Sequence, residues 1–191
     1  KLNLFFFFFE IFCTLICIFA FRKPNKMFFL YYLRDSLQLI LAPAKGWEDV
    51  SADGLDDTAL LKKGLIPLLV LTALSSFVGM FSDVDVLFIS ILQQSIITFI
   101  KYFATYYLAC LVFTLYLPSC ISGEFSLKKC HTYITYGITL LAVVNIIENC
   151  IPVELAVVYI MPIYVLYILW RGLRYMSVSF DGVGTFLLIT I

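Results

Sequence analysis

His131, the one histidine of this 191-residue chain, follows Cys130, and Cys120 lies further back across Ser122 and Gly123. A Cys-His pair is material for a thiol nucleophile or for part of a metal site. Zinc needs three or four ligands, and no second short Cys or His pair exists, so free reduced thiols at a membrane surface are expected. Glu48, Asp49, Asp53, Asp56 and Asp57, ahead of Lys62 and Lys63, are a second candidate. Their spacing lacks the glycine–carboxylate pattern of a calcium loop, and a solvated linker accounts for them. The third is a row of Ser90, Gln94, Thr98, Lys101 and Thr105, at intervals of three and four, which forms one polar stripe on a helix. No phosphate-binding glycine loop, dinucleotide turn, zinc-protease helix or nucleophile elbow occurs. The sequence therefore nominates no catalytic, cofactor-binding or metal-ligating residue, and neither an enzyme nor a cofactor is expected.

The elements that carry these residues are read from composition and charge. The chain is 62% hydrophobic and 14% charged, where a soluble domain carries about 25% charge. Thirteen basic residues balance thirteen acidic ones, which gives no general attraction to nucleic acid. The positions of the basic residues are more telling. Seven fall between Arg22 and Lys63, none in 82–88, Lys128 and Lys129 in 118–131, none in 149–152, and Arg171 and Arg174 in 171–182. Basic and bare links alternate, as they do when alternate loops of a multi-pass protein face the cytoplasm. The expected fold is an all-α integral membrane helical bundle. Four spans are complete, near 65–81, 84–117, 133–147 and 153–170, and a fifth, 183–191, is cut short at nine residues. A bacterial cytoplasmic membrane with a cytoplasmic amino end is the expected setting.

Within 27–41, Leu30, Leu33, Leu37, Ile40 and Leu41 recur at helical spacing, while Arg34, Asp35 and Gln38 take other faces. Such an amphipathic helix either lies in the headgroup plane or packs on the end of the bundle. Pro43 ends it, Trp47 marks the interface, and the polar segment 48–63 links it to the first span. Pro67 belongs to the first turn of that span, where a missing amide donor costs little. The second span, 84–117, is too long for the bilayer core, so it tilts, projects, or lies partly along the outer surface. Its polar stripe should face the bundle interior or an aqueous cavity. Lys101 then either binds an anion, balances Glu148 or Glu154, or snorkels to the outer interface. Pro162 lies inside the fourth span, and its series Tyr159, Tyr164 and Tyr167 reads as packing.

Residues 1–26 begin with Lys and hold a block of five phenylalanines, Phe5 to Phe9. They read as translated upstream DNA, with a signal anchor over 4–21 as the other reading and a cleaved signal peptide disfavoured.

One ordered set of features resembles a known family. Leu39-Ile-Leu-Ala-Pro43-Ala-Lys-Gly-Trp47-Glu-Asp-Val50 is followed by Ile66-Pro67-Leu68, by Tyr133-Ile-Thr-Tyr136-Gly-Ile-Thr, and by Tyr164-Val-Leu-Tyr167-Ile-Leu-Trp-Arg-Gly172-Leu. This order resembles the bacterial-type branch of the Yip domain family, the Ypt/Rab-interacting membrane proteins, over about residues 27–191. The resemblance makes Pro43, Trp47, Pro67, Tyr164, Tyr167 and Gly172 the family-motif positions. It implies five spans with a cytoplasmic amino end, and a non-enzymatic role in organising membrane lipid or membrane and cytoplasmic protein partners. The Asp-Leu-Tyr-Gly-Pro string of the eukaryotic relatives is not found, which puts a small-GTPase partner in doubt. A small transporter or channel subunit using the polar stripe is the alternative.

Overall fold

The computed structural model describes residues 26–54, 56–79, 88–116, 118, 126–150 and 156–175. Residues 1–25 and 183–191, for which upstream translation and a fifth span are expected, lie outside the described residues. The described chain is helical, with no strand among those residues. Helix α1 covers Lys26–Leu41 and α2 covers Pro43–Asp53. A turn Asp57–Ala59 and a π-helical segment Leu60–Leu65 run directly into α3, Ile66–Gly79. Then come α4, Phe88–Tyr116, α5, Leu127–Cys150, and α6, Ala156–Arg171, which ends in the 3-10 turn Gly172–Arg174.

Among the described residues, three helices are long and apolar enough to cross a membrane: Asp57–Val78, Phe88–Tyr116 and Leu127–Cys150. The 16 described residues of α6 rise about 24 Å. Helix α4, at 29 residues, rises about 43 Å without a break. Helices α3 to α6 pack on one another, and α5 is the most buried of the three long described helices. An unbroken buried run from Thr132 to Leu140 places it at the centre.

Local chemistry sets the boundaries. Pro43 takes the first turn of α2, where its absent donor is not missed, and Gly54 ends the helix in a left-handed conformation, φ 52°. Asp56 caps the next turn, accepting from the Ala59 amide at 3.3 Å and from the Thr58 hydroxyl. These bonds hold its carboxyl below the usual carboxylate range, the Thr58 bond first.

Several sequence expectations change. Residues 48–63 keep most of their charged side chains exposed, but they are helical: they finish α2 and begin the first long helix, with Val50 and Leu60 buried. Pro67 is not in a first turn, because the helix already begins at Asp57. Its ring would meet the carbonyl four residues back in a regular α-helix, and the π-helical Leu60–Leu65 immediately precedes it. Lys128, Lys129, Cys130 and His131 are not a loop but the first residues of α5. Cys130 is wholly buried rather than at a surface, and His131 Nδ1 lies 3.1 Å from Asp57 Oδ2.

The face that α1 buries also differs. Phe29, Tyr32, Asp35, Ser36 and Leu39 point inward, whereas Leu30, Leu37 and Leu41 are exposed, Leu41 to 83%. The inward polar atoms have partners. The Tyr32 hydroxyl bonds to Thr139, which itself donates to the Thr135 carbonyl at 2.8 Å, and Ser36 donates to the Tyr32 carbonyl at 2.7 Å. Helix α1 crosses the bundle. Phe28 sits under the Lys63 ammonium at 5.9 Å, Tyr32 meets Thr139 on α5, and the Ile40 carbonyl accepts from the Tyr164 hydroxyl on α6 at 2.7 Å.

Candidate functional site

Trp47 is the residue on which the α1–α2 pair is seated. It is 4% exposed, and its indole N–H donates to the Ile168 carbonyl at 3.0 Å. The Tyr133 hydroxyl donates to the Leu169 carbonyl at 2.9 Å. Both acceptors lie in the last turn of α6, just before its 3-10 continuation. Two aromatic side chains thus bond to α6 and fix α2 and α5 against it. The Trp47 ring stacks on Tyr133 at 5.3 Å and on Tyr175 at 5.5 Å, and meets Tyr136 edge-on at 6.3 Å. Gly172 makes this approach possible: a Cβ there would lie 2.7 Å from Trp47 Cε2 and 2.8 Å from Tyr133 Cε2.

Of the positions that the resemblance singles out, Trp47 and Gly172 meet where α2 joins the end of α6, and Tyr164 reaches instead to the Ile40 carbonyl at the end of α1. Tyr167 is on the outer side of that join. It stacks with Tyr164 at 5.9 Å, meets Trp170 at 6.4 Å and accepts from Arg171 Nε at 3.2 Å. Pro43 opens α2, half-buried, and Pro67 is separate from this cluster, in the first long helix.

The outward face of α2 is charged. Lys45, Glu48, Ser51 and Asp53 are exposed, and the half-buried Asp49 accepts from Gln38 Nε2. Beneath them Asp35 is 3% exposed and bonded to Arg34 Nη2 at 3.2 Å. Burial, and then Asp53 and Asp49, push the Asp35 carboxyl above the usual range, and the Arg34 guanidinium opposes that shift. The Tyr136 hydroxyl is buried without a hydrogen-bond partner among the described residues, within electrostatic reach of Asp35 and Asp53. No group of three or more His, Cys, Asp or Glu among the described residues is arranged to hold a metal ion. At the adjoining edge, Lys128 Nζ donates to the Gly54 carbonyl at 2.8 Å.

The polar stripe of α4 is split. Thr98 is buried, and Ser90, Gln94, Lys101 and Thr105 are exposed. The inward row of α4 is Ile91, Ser95, Thr98, Tyr102, Tyr106 and Phe113. Ser95 donates to the Ala73 carbonyl at 2.7 Å, and Tyr102 to the Leu141 carbonyl at 3.3 Å. The Lys101 ammonium lies over the Tyr102 ring at 5.0 Å and makes no ion pair among the described residues. Thr105 donates back to the Lys101 carbonyl and stands at the rim of a cleft of about 310 Å³ between α4, α5 and α6. That cleft is otherwise lined by Leu108, Val112, Ile138, Leu169 and similar side chains.

The sequence did not single out Tyr32, Asp35 or Tyr133 as members of one buried join. Their only signal is helical spacing: Tyr32 shares a face with Asp35, Ser36 and Leu39. No family model, curated protein or solved structure gives a significant match to the chain.

Proposed function

We propose that this chain is a multi-pass membrane protein of the Yip type, without reaction chemistry of its own. In this reading the α1–α2 pair is a fixed platform at the membrane surface for protein partners or lipids. The observation that carries it is the seating of Trp47. A helix pair meant only to link would not need a buried indole, two stacked tyrosines and a glycine cut to fit. Held this way, α2 offers Lys45, Glu48, Ser51 and Asp53 to solvent as a rigid charged row, and a preordered row binds at lower entropic cost than a mobile one. Helix α1 offers Leu30, Leu37 and Leu41 outward, a face suited to the acyl–headgroup boundary.

Helix direction supports the orientation. Lys45, Lys62, Lys63, Lys128, Lys129, Arg171 and Arg174 all belong to segments at the α2 end of the bundle. Under the charge rule for membrane proteins, that end is cytoplasmic. A bacterial inner membrane is the setting we propose.

Deleting the α1–α2 pair would not test this role, because Tyr32, Leu39 and Trp47 are core residues. The test is site-specific photocrosslinking in intact cells. A photoreactive residue at Ser51 is compared with one at Leu111, an exposed apolar position on α4. The Ser51 probe should yield a discrete adduct that Lys45→Glu with Asp53→Lys removes. Absence of any adduct beyond those at Leu111 would defeat the platform reading.

A further inference from the structure

Between α2 and the end of α6 lies a pocket of about 310 Å³, whose lining includes Trp47, Glu48, Ser51, Arg171, Arg174 and Tyr175. Arg171 is the last residue of α6 and Arg174 closes the 3-10 turn after it. Both side chains are exposed, and neither guanidinium is in an ion pair among the described residues. Arg171 engages Tyr167 through Nε at 3.2 Å, which leaves its terminal N–H groups for another acceptor. Basic residues at a helix end also satisfy the helix dipole and the charge rule of membrane topology without any ligand. Three features here exceed that explanation.

The first is the walled space itself, whose apolar side is the fixed Trp47 ring backed by Tyr175. The second is Glu48, a carboxylate that lines the same space yet pairs with neither arginine among the described residues. A pocket offering two guanidinium groups and one carboxylate matches a ligand bearing both signs. The third is the surface leading to it. Ile160, Ile163 with its neighbour Tyr164, and Tyr167 are exposed on successive turns along α6, and Arg171 continues that row. An acyl chain lying on this row would end with its phosphate beside Arg171.

We propose that this pocket holds the headgroup of an amine-bearing membrane phospholipid. The phosphate sits between Arg171 and Arg174, the ammonium sits on Glu48, and an acyl chain follows the outer row of α6. Guanidinium forks suit phosphate because they present parallel charge-assisted donors, and basic pockets at the cytoplasmic ends of membrane helices take lipid headgroups by the same chemistry. The proposal deepens the platform reading and rests on it for the membrane setting.

The test is native mass spectrometry of the full-length protein, purified in detergent and offered equal amounts of phosphatidylethanolamine, phosphatidylglycerol and phosphatidylcholine. Wild-type protein should retain phosphatidylethanolamine in preference to the other two. Arg171→Gln with Arg174→Gln should lower total retained lipid about tenfold. Glu48→Gln should keep phospholipid but lose the preference for the amine. Modification of arginine by phenylglyoxal in wild-type protein gives a second reading that needs no variant: phosphatidylethanolamine should protect Arg171 and Arg174. Unchanged retention in the double variant, or no protection, overturns the site. Equal protection by inorganic phosphate alone overturns the lipid as its source. Retained Ser51 adducts in the double variant would show that such a failure belongs to the lipid site and not to the platform.

Discussion

The Cα of Gly172 lies so close to the indole of Trp47 that one added carbon would sit 2.7 Å from Cε2 and 2.8 Å from Cζ2. These residues are far apart in sequence, and their contact joins the first described helices to the last. The same indole donates to the Ile168 carbonyl, so close approach and the bond to α6 are one arrangement.

Gly172→Ala should therefore lower stability by about 1–3 kcal/mol through overpacking, since both neighbours are ring atoms with little freedom to yield. Trp47→Phe should destabilise too, by losing the bond to Ile168 and part of the stacking. The two together should cost less than their sum, because the smaller ring leaves room for the methyl group. Thermal unfolding midpoints of the three variants in one detergent check this. Simple additivity would mean that the residues do not share a contact in solution.

Little of this join was legible in the sequence, for reasons found in α1. Its helical period is clear from Leu30, Leu33 and Leu37, but in a membrane protein an apolar row does not say which way it faces. Lipid accepts leucine as readily as a core does, and polar groups that find partners go inside. Tyr32, Asp35 and Ser36 went inside because Thr139, Arg34 and the Tyr32 carbonyl receive them. Pairings such as Tyr32 with Thr139, and His131 with Asp57, depend on how helices distant in sequence align. Periodicity carries no information on that. The charged residues before Pro67 look like linker in the sequence and so suggest a first turn there. Asp57 and His131, and Lys128 with Gly54, instead tie those residues to α5 and let the helix start earlier.

Asp35 gives a prediction in pH. Its folded carboxyl is held above the ordinary range near 3.8, by burial first. Between that unfolded value and the raised folded value, the folded protein binds more protons than the unfolded chain. Stability contributed by Asp35 is therefore full below the unfolded value and is lost as pH rises through the folded one. Asp35→Asn should flatten the dependence of the unfolding midpoint on pH in this window. An unaltered slope in the variant would contradict burial of the carboxyl.

Lys101 lies over Tyr102 on an exposed flank of α4. An exposed cation on a ring contributes about 0.5–1 kcal/mol, so Lys101→Met should insert normally and change the unfolding midpoint little. Reconstituted vesicles should show the same solute permeability with either protein. A solute flux present in wild type and lost in the variant would favour the transporter alternative.

The most direct test of the account is accessibility of single cysteines, introduced after all six native ones are replaced. Probes at Ser51 and Lys129, both exposed and at the α2 end of the bundle, are compared with one at Asp85, in a link without basic residues. With an impermeant thiol reagent applied to intact cells, Asp85→Cys should be modified, while Ser51→Cys and Lys129→Cys react only after the membrane is opened. Labelling of Ser51→Cys and Lys129→Cys from outside with Asp85→Cys protected would reverse the orientation. Opposite behaviour of Ser51→Cys and Lys129→Cys would contradict the seating of α2 on the bundle.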